Sequence, residues 1–394
     1  MLERYESAAA MVGDLRPDSP VYGLRPHALT ATARRFVEGF PGAVLYAVKC
    51  NDDPRVLDAL AEGGVRHFDV ASMGELEAVR SRFGEAECHF MHPVKSRADI
   101  ARAYRVHGVR VFALDCTEEL AKIVEETGDA DDLELMIRLD VPRGAAVQDL
   151  GGKFGASVPE AARLLADAAR TAEGRTRKVG LTFHVGSQCL NPLAWRRAIE
   201  LADAARRLAG VEIAALDVGG GFPAPYVGVE PPPLQAFVAE IRAALADHGF
   251  GPEVRLACEP GRALVAEGLS VIVRVVLRKD DALYVTDGVY GALSELRLPG
   301  IRLPVRLIRS DGATAGPVSN FRLFGPTCDP IDEMVGPFTL PDDAREGDWI
   351  EIGQCGAYST ALNTGFNGFG RGRFVALADP PLRPSYAERA RKAA

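Results

Sequence analysis

The sequence predicts an α/β chain: a (β/α)8 barrel of the TIM type followed by a β-rich C-terminal domain. Three observations carry this. Short β-branched runs alternate with helical stretches from about residue 26 to 265, as a parallel sheet with crossover helices requires. Eight such runs can be counted, the number that closes a barrel. KCNDDP follows the first run, where an open doubly wound sheet would carry a Gly-rich loop.

The eight strand candidates are Ala43–Lys49, His67–Val70, Glu87–Met91, Arg110–Leu114, Glu134–Leu139, Gly180–Val185, Ile213–Val218 and Glu253–Cys258. Between them, apolar residues recur at helical spacing in segments such as PRVLDALAEGG and LAWRRAIELADAARRLAG; several of these end in Gly, the usual helix stop. Beyond 265 the texture changes to strand-like runs (LSVIVRVVLRK, ALYVTDGVY, RLPVRLIR, WIEIG, RFVALA) separated by Gly, Pro and Asp turns. The expected domains are therefore a barrel over 26–265 and a β-rich domain over 266–394, which the first 25 residues join. The Pro-broken, charged tail PPLRPSYAERARKAA reads as a surface segment.

Composition narrows the function. Of 394 residues, 47% are hydrophobic and 25% charged, with 46 basic against 54 acidic side chains and a formal net charge of -8. A modest, mixed negative charge speaks against nucleic acid or an anionic membrane as partner. Seven cysteines without a CxxC pair give neither a disulfide framework nor a zinc site, so no metal is expected. No apolar run approaches the ~18 residues of a membrane span, and the N-terminus lacks a secretory layout. The expectation is a cytoplasmic protein with reduced thiols.

Barrel enzymes place their chemistry at the carboxyl ends of the strands. Those positions hold Lys49, Asp69, His92, Arg138, His184, Gly219–Gly221 and Glu259-Pro260-Gly261-Arg262. Lys49 alone reads first as a snorkelling lysine at the strand edge and only second as a Schiff-base lysine, which burial would make nucleophilic. The glycines after the seventh and eighth strands, with Arg262, suit a phosphate, because bare backbone N–H groups close around an anion. Glu259 follows an apolar strand and needs a partner, either an arginine or a pyridinium nitrogen. His184 is a satisfied core histidine or a ring stacked on a cofactor. Taken together, a lysine, a two-loop phosphate site and a buried acid point to pyridoxal 5'-phosphate.

Several segments carry a family resemblance: YAVKCN, FDVAS, KFG, FHVGSQ, LDVGGGFP, CEPGR, FGPTCDPID, GAY and FNGF, in that order over about residues 20 to 375. The chain resembles the barrel-type (fold type III) pyridoxal-phosphate decarboxylases of the ornithine/diaminopimelate/arginine group. The resemblance implies that Lys49 holds the cofactor, that His184 stacks on its ring and that Glu259 faces the pyridine nitrogen. Ser187, Gly220, Gly221, Gly261, Arg262 and Tyr358 match phosphate ligands, and Asp69 and Arg138 match groups on the cofactor's other side. Cys328 matches the residue that acts on the carbanion after carbon dioxide leaves, contributed by the neighbouring subunit of a homodimer with shared active sites. A carboxylate rather than an arginine at residue 259 favours decarboxylation over racemisation.

The resemblance also frames the small-molecule substrate, a basic L-amino acid. Diaminopimelate enzymes carry Glu directly after the cysteine, so Asp329 in CDPID favours the ornithine type, with Asp329 and Phe366 at the substrate's far end. Asp332 is expected in a cross-subunit salt bridge with Lys153. Ornithine enzymes of the eukaryotic kind add a Tyr-Asp pair beyond DGVYG; here that position falls near Leu298-Pro299, and Glu295 is the available substitute. The reading is decarboxylation of L-ornithine to putrescine, with L-lysine to cadaverine second. The alternatives are diaminopimelate or another diamino acid, and a non-catalytic regulatory homologue. The last is disfavoured because Lys49, His184, Glu259 and Cys328 are all present.

Overall fold

A computed structural model describes residues 2–384 apart from Arg175, Pro299 and 311–315. The expected surface tail therefore falls largely outside the described residues. The chain forms two compact units.

The first unit comprises 33–223 and 232–263. Its strands Ala43–Ala47, His67–Val70, Glu87–Phe90, Val111–Leu114, Glu134–Leu139, Lys178–Phe183, Ala215–Asp217 and Arg255–Cys258 form a closed barrel. Each pairs in parallel with the next in sequence, and the eighth returns to the first through Ala257 opposite Ala43 and Cys258 opposite Val44. The strands are near-continuous apolar runs because both faces are covered. Met91, Val111, Ala113, Met136 and Ala215 pack together as one buried cluster.

Helix starts follow the strand ends closely and are fixed by side-chain caps. Asp53 accepts from the Arg55 N–H at 2.9 Å with Pro54 in the first turn. Ser72 accepts from the Glu75 N–H at 3.3 Å, and Glu75 in return accepts from the Ala71 N–H at 2.8 Å. Ser96 caps the helix Arg97–Arg105. Each cap contributes about 1 kcal/mol, and together they fix the loops that carry the strand-end residues.

The second unit comprises 1–32, 224–231 and 264–394. Its sheet runs through Arg4–Tyr5, Arg373–Leu377, Val21–Leu24, Leu269–Lys279, Ala282–Val285, Val318–Phe324 and Glu333–Pro341. Trp349–Ile352 branches from Leu269–Lys279 and pairs in turn with Val305–Ile308. The N-terminal segment does pair here: Val21–Leu24 lies antiparallel to 269–272 and parallel to 373–376. Ala8, Met11, Val12, Val21, Ile272, Ile308, Trp349, Val375 and Leu377 form its core cluster. The unit boundary differs from the sequence boundary at 224–231, where the Val227 N–H donates to the Arg302 carbonyl at 2.9 Å. Two strands that alternation in the sequence does not announce, 318–324 and 333–341, flank the CDPID segment; Gly336 and Pro337 interrupt the pattern of the second.

Among the described residues, no helix is long and apolar enough to cross a membrane, and no group of three or more metal-ligating side chains is present.

Candidate active site

The strand-end residues of the barrel unit converge. The first strand stops at Ala47 and turns into a short 3-10 segment, Val48–Cys50. The Tyr46 hydroxyl fixes that turn by donating to the Asn51 carbonyl at 2.8 Å, and the Ala47 N–H donates to the Pro260 carbonyl at 3.3 Å. Lys49 is thereby aimed at Asp69, at the end of the second strand. Its Nζ lies 2.6 Å from Oδ2 of Asp69, which is buried.

His184 follows the sixth strand. Its Nδ1 accepts from the Gly186 N–H at 3.0 Å, which places the ring proton on Nε2. The ring keeps some solvent contact, yet protein surrounds it closely. Burial first, then the charges of Arg138 and Lys49, push its pKa down to about 3. At neutral pH it is an uncharged plate, suited to stacking on an aromatic ring. Arg138, at the end of the fifth strand, lies with its guanidinium 5.7 Å from the centre of the Phe154 ring.

The glycine turn after the seventh strand leaves no room for side chains. A Cβ on Gly220 would meet the Glu259 carbonyl at 2.7 Å and His184 Nε2 at 2.8 Å; on Gly261 it would meet the Cys50 Cβ at 3.0 Å. Ser187 Oγ accepts from Arg262 Nε and Nη2, each at 3.2 Å, and both side chains are buried. Backbone without side chains, a hydroxyl and a buried guanidinium are a set that could hold a phosphate.

Glu259 is buried, and its Oε1 has no hydrogen-bond partner among the described residues. Burial, followed by the neighbouring Asp217 and Asp69, raises its pKa well above the carboxylate range, while Lys49 and Arg138 lower it. An orphaned carboxyl oxygen needs a partner, and a pyridine nitrogen would supply one.

The sheet unit carries the second cluster. Cys328 is exposed, its Sγ 3.4 Å from Oδ1 of Asn367. Asp329 Oδ2 accepts from the Tyr290 hydroxyl at 2.5 Å and Oδ1 from the Ile331 N–H at 3.0 Å. Tyr290 most of all, then Ile331, holds Asp329 below the usual carboxylate range. Phe366 lies against Tyr290 with ring centres 4.8 Å apart. Cys328 and Asp329 border a cavity of about 900 Å³ in this unit. Tyr358 also belongs to the sheet unit, in left-handed backbone at φ 49°.

Glu295 is buried, its charge bears on the buried Cys355 thiol, and it does not border the Cys328 cavity. The single turn Ser294–Arg297 points it inward and leaves Arg297 exposed. Asp332 is buried, with Oδ1 accepting from the Val289 N–H at 2.8 Å and Oδ2 from the Thr327 N–H and hydroxyl at 3.0 and 2.7 Å. Its own unit thus supplies partners for both oxygens. Tyr290 and Asp217 have no role assigned by the sequence. The signal for both was present: a tyrosine inside DGVYG, and an acid ending an apolar strand just before a glycine run.

Residues 27–266 match the pyridoxal binding domain of the pyridoxal-dependent decarboxylases, and residues 267–356 match that family's C-terminal sheet domain. The chain belongs to this family. It is a pyridoxal-phosphate-dependent amino-acid decarboxylase, and the orphaned Glu259 oxygen, the glycine cradle and Lys49 fit that cofactor. A decarboxylase of Aspergillus flavus is 34% identical over 349 residues, covering 82% of this chain and 77% of its own. The lysine/ornithine decarboxylase of Selenomonas ruminantium is 32% identical over 355 residues, covering 88% and 85%. Among solved structures, the Paramecium bursaria Chlorella virus arginine decarboxylase bound to agmatine matches with a TM-score of 0.82 at 28% identity, over 93% of this chain and 98% of that one.

Proposed function

We propose that the chain decarboxylates an L-amino acid whose side chain ends in a primary amine, L-ornithine first and L-lysine second. The observation that carries this is Asp329: an ionised carboxylate fixed by Tyr290, beside the exposed thiol of Cys328 and the ring of Phe366. A carboxylate held below its usual pKa stays charged throughout the neutral range and pairs with an ammonium. The lysine/ornithine decarboxylase of Selenomonas ruminantium, 32% identical, supports the same choice.

The roles follow from the chemistry of the side chains. Lys49 holds the cofactor covalently through Nζ, with Asp69 as its partner. Ser187, Gly220, Gly221, Gly261, Arg262 and Tyr358 bind the phosphate, Arg138 lies on the cofactor's other side, and His184 covers the ring as a neutral plate. Pyridoxal phosphate, when bound, supplies an electron sink for the pair left on Cα as carbon dioxide departs. Glu259 keeps a proton on the pyridine nitrogen, and Cys328 delivers a proton to Cα. The resemblance to the decarboxylases further supports a homodimer in which Cys328 and Asp329 serve the partner's barrel.

Arg297 favours a second reading. It is exposed and its charge bears on Asp329 and Tyr290, so a far end carrying a carboxylate beside its ammonium, as in meso-diaminopimelate, also finds a partner. Amine production from L-ornithine, L-lysine, L-arginine and meso-diaminopimelate separates the two. Asp329→Ala is expected to lower kcat/KM for the preferred diamino acid roughly 10- to 150-fold while cofactor content stays unchanged. If meso-diaminopimelate is the best substrate, the ornithine reading fails.

A further inference from the structure

Asp332 is 2% exposed, although it follows closely on Asp329 and on the exposed Cys328. Its carboxylate joins two loops of the sheet unit. Oδ1 accepts from the Val289 N–H at 2.8 Å, in the turn 287–292. Oδ2 accepts from the Thr327 N–H and hydroxyl at 3.0 and 2.7 Å, in the loop that carries Cys328 and Asp329. The backbone of Asp332 closes that loop on itself. Its N–H donates to the Asp329 carbonyl at 3.0 Å, and its carbonyl accepts from the Gly325 N–H at 2.8 Å.

Each donor sits next to a residue of the exposed cluster. Val289 precedes Tyr290 and Thr327 precedes Cys328, while the Tyr290 hydroxyl donates to Asp329 Oδ2 at 2.5 Å. Asp287 braces the turn from within, its Oδ1 accepting from the Gly288 N–H at 2.9 Å and its Oδ2 from the Ala292 N–H at 3.3 Å. Two motif glycines let the backbones close on the Asp332 carboxylate. A Cβ on Gly288 or on Gly325 would overlap Asp332 Oδ1. DGVYG and FGPTC therefore carry glycine where any side chain would push the two loops apart.

We propose that Asp332 is a positioning residue for substrate recognition: it fastens the turn bearing Tyr290 to the loop bearing Asp329, so that the carboxylate meeting the substrate's far amine is held in one place. This rests on the assignment of Asp329 to that amine. The physical reason is preorganisation. A recognition group on an exposed loop must otherwise be ordered when the substrate binds, which weakens binding. Three hydrogen bonds to one buried side chain order the loop beforehand. Removing Asp332 leaves the Val289 and Thr327 N–H groups without this acceptor, and the loops part to hydrate them. Asp329 then loses its fixed distance to Tyr290 and to the substrate's far end.

The test is release of labelled carbon dioxide by the holoenzyme from carboxyl-labelled L-ornithine and L-norvaline, which differ only in the far amine. Where lysine is the better substrate, L-lysine and L-norleucine take their places. The ratio of the two kcat/KM values reads that amine alone; a general loss of activity, including any displacement of Cys328, cancels. Asp332→Ala should lower the ratio roughly 5- to 150-fold. Thr327→Val, which removes one donor at constant shape, should lower it roughly 2- to 10-fold, and Thr327→Ser should keep it within about twofold of wild type. In an Asp329→Ala background, Asp332→Ala should change the ratio no further, because the recognising carboxylate is already gone. If Asp329→Ala itself leaves the ratio unchanged, the assignment of Asp329 fails, and the proposal with it. If Asp329→Ala lowers the ratio but Asp332→Ala does not, Asp332 only holds the loop together and the proposal alone is overturned. An Asp332→Ala loss that Thr327→Val does not share, or that adds in full to Asp329→Ala, overturns it too. Should Asp332→Ala fail to fold, the Thr327→Val ratio decides: a wild-type value overturns the proposal.

Discussion

Replacing Gly220 by alanine is the most searching steric probe of the cofactor well. Its Cβ would lie 2.7 Å from the Glu259 carbonyl oxygen and 2.8 Å from His184 Nε2. Neither distance is tolerable, and the backbone of the eighth strand cannot swing away. The imidazole, which keeps some solvent contact, is the group that gives. Overpacking of this kind costs about 1–3 kcal/mol. Taken from the cofactor's contacts with His184, that is roughly a 5- to 150-fold loss of affinity. The assay titrates apoenzyme with pyridoxal phosphate, following absorbance, alongside a thermal melt of the apoenzyme. Gly84→Ala is the control: nothing lies within 4 Å of its Cβ, so stability should stay within ~0.5 kcal/mol and affinity should not change. A Gly220→Ala enzyme that folds and binds the cofactor within about twofold of wild type would refute the placement of the cofactor against both Gly220 and His184.

Two further outcomes are expected. Inactive Lys49→Ala mixed with inactive Cys328→Ala should recover activity approaching roughly a quarter of wild type, because about half the subunits enter heterodimers with one intact site of two; no recovery after demonstrated subunit exchange would place Cys328 in its own subunit's site. The apoenzyme should also melt at lower temperature as pH rises from about 5 to 7. Glu259 and Asp217 are raised by burial, as are Glu75, to about 7, and Asp287, to about 6. The folded state therefore binds more protons than the unfolded state across that window, and their contribution is lost as pH climbs through the folded values. His184 and His92, both lowered, act in the opposite sense, but two groups oppose four. Glu259→Gln should flatten the slope; a melting temperature that rises with pH would contradict these assignments.

The barrel was legible because its signal is periodic. Strands buried on both faces read as unbroken apolar runs, and the residue types crowding their ends, Lys49, Asp69, His184 and Glu259 among them, are ones that no fold needs for packing. What escaped was set by geometry that only the folded chain provides. Asp217 looks like the last residue of a strand until the Gly219 turn brings it beside Glu259. Glu295 and Arg297 are two residues apart, and which of them reaches solvent depends on a single helical turn that carries no hydrophobic period. The strands beside CDPID have no clean alternation, since Val318–Phe324 exposes four of its seven residues and Glu333–Pro341 contains a Gly-Pro pair. The resemblance sets Asp332 at an interface; the bonds it accepts from Thr327 and Val289 are a property of the folded loop that the sequence does not display.

The central claim is that Lys49 carries the cofactor at the mouth of the barrel, and it is tested most directly by borohydride reduction of the holoenzyme followed by peptide mass spectrometry. The account predicts a single reduced pyridoxyl group, on the peptide containing Lys49, absent from Lys49→Ala. Stable labelling of a different lysine, such as Lys95 or Lys153, with Lys49 unmodified, would contradict it.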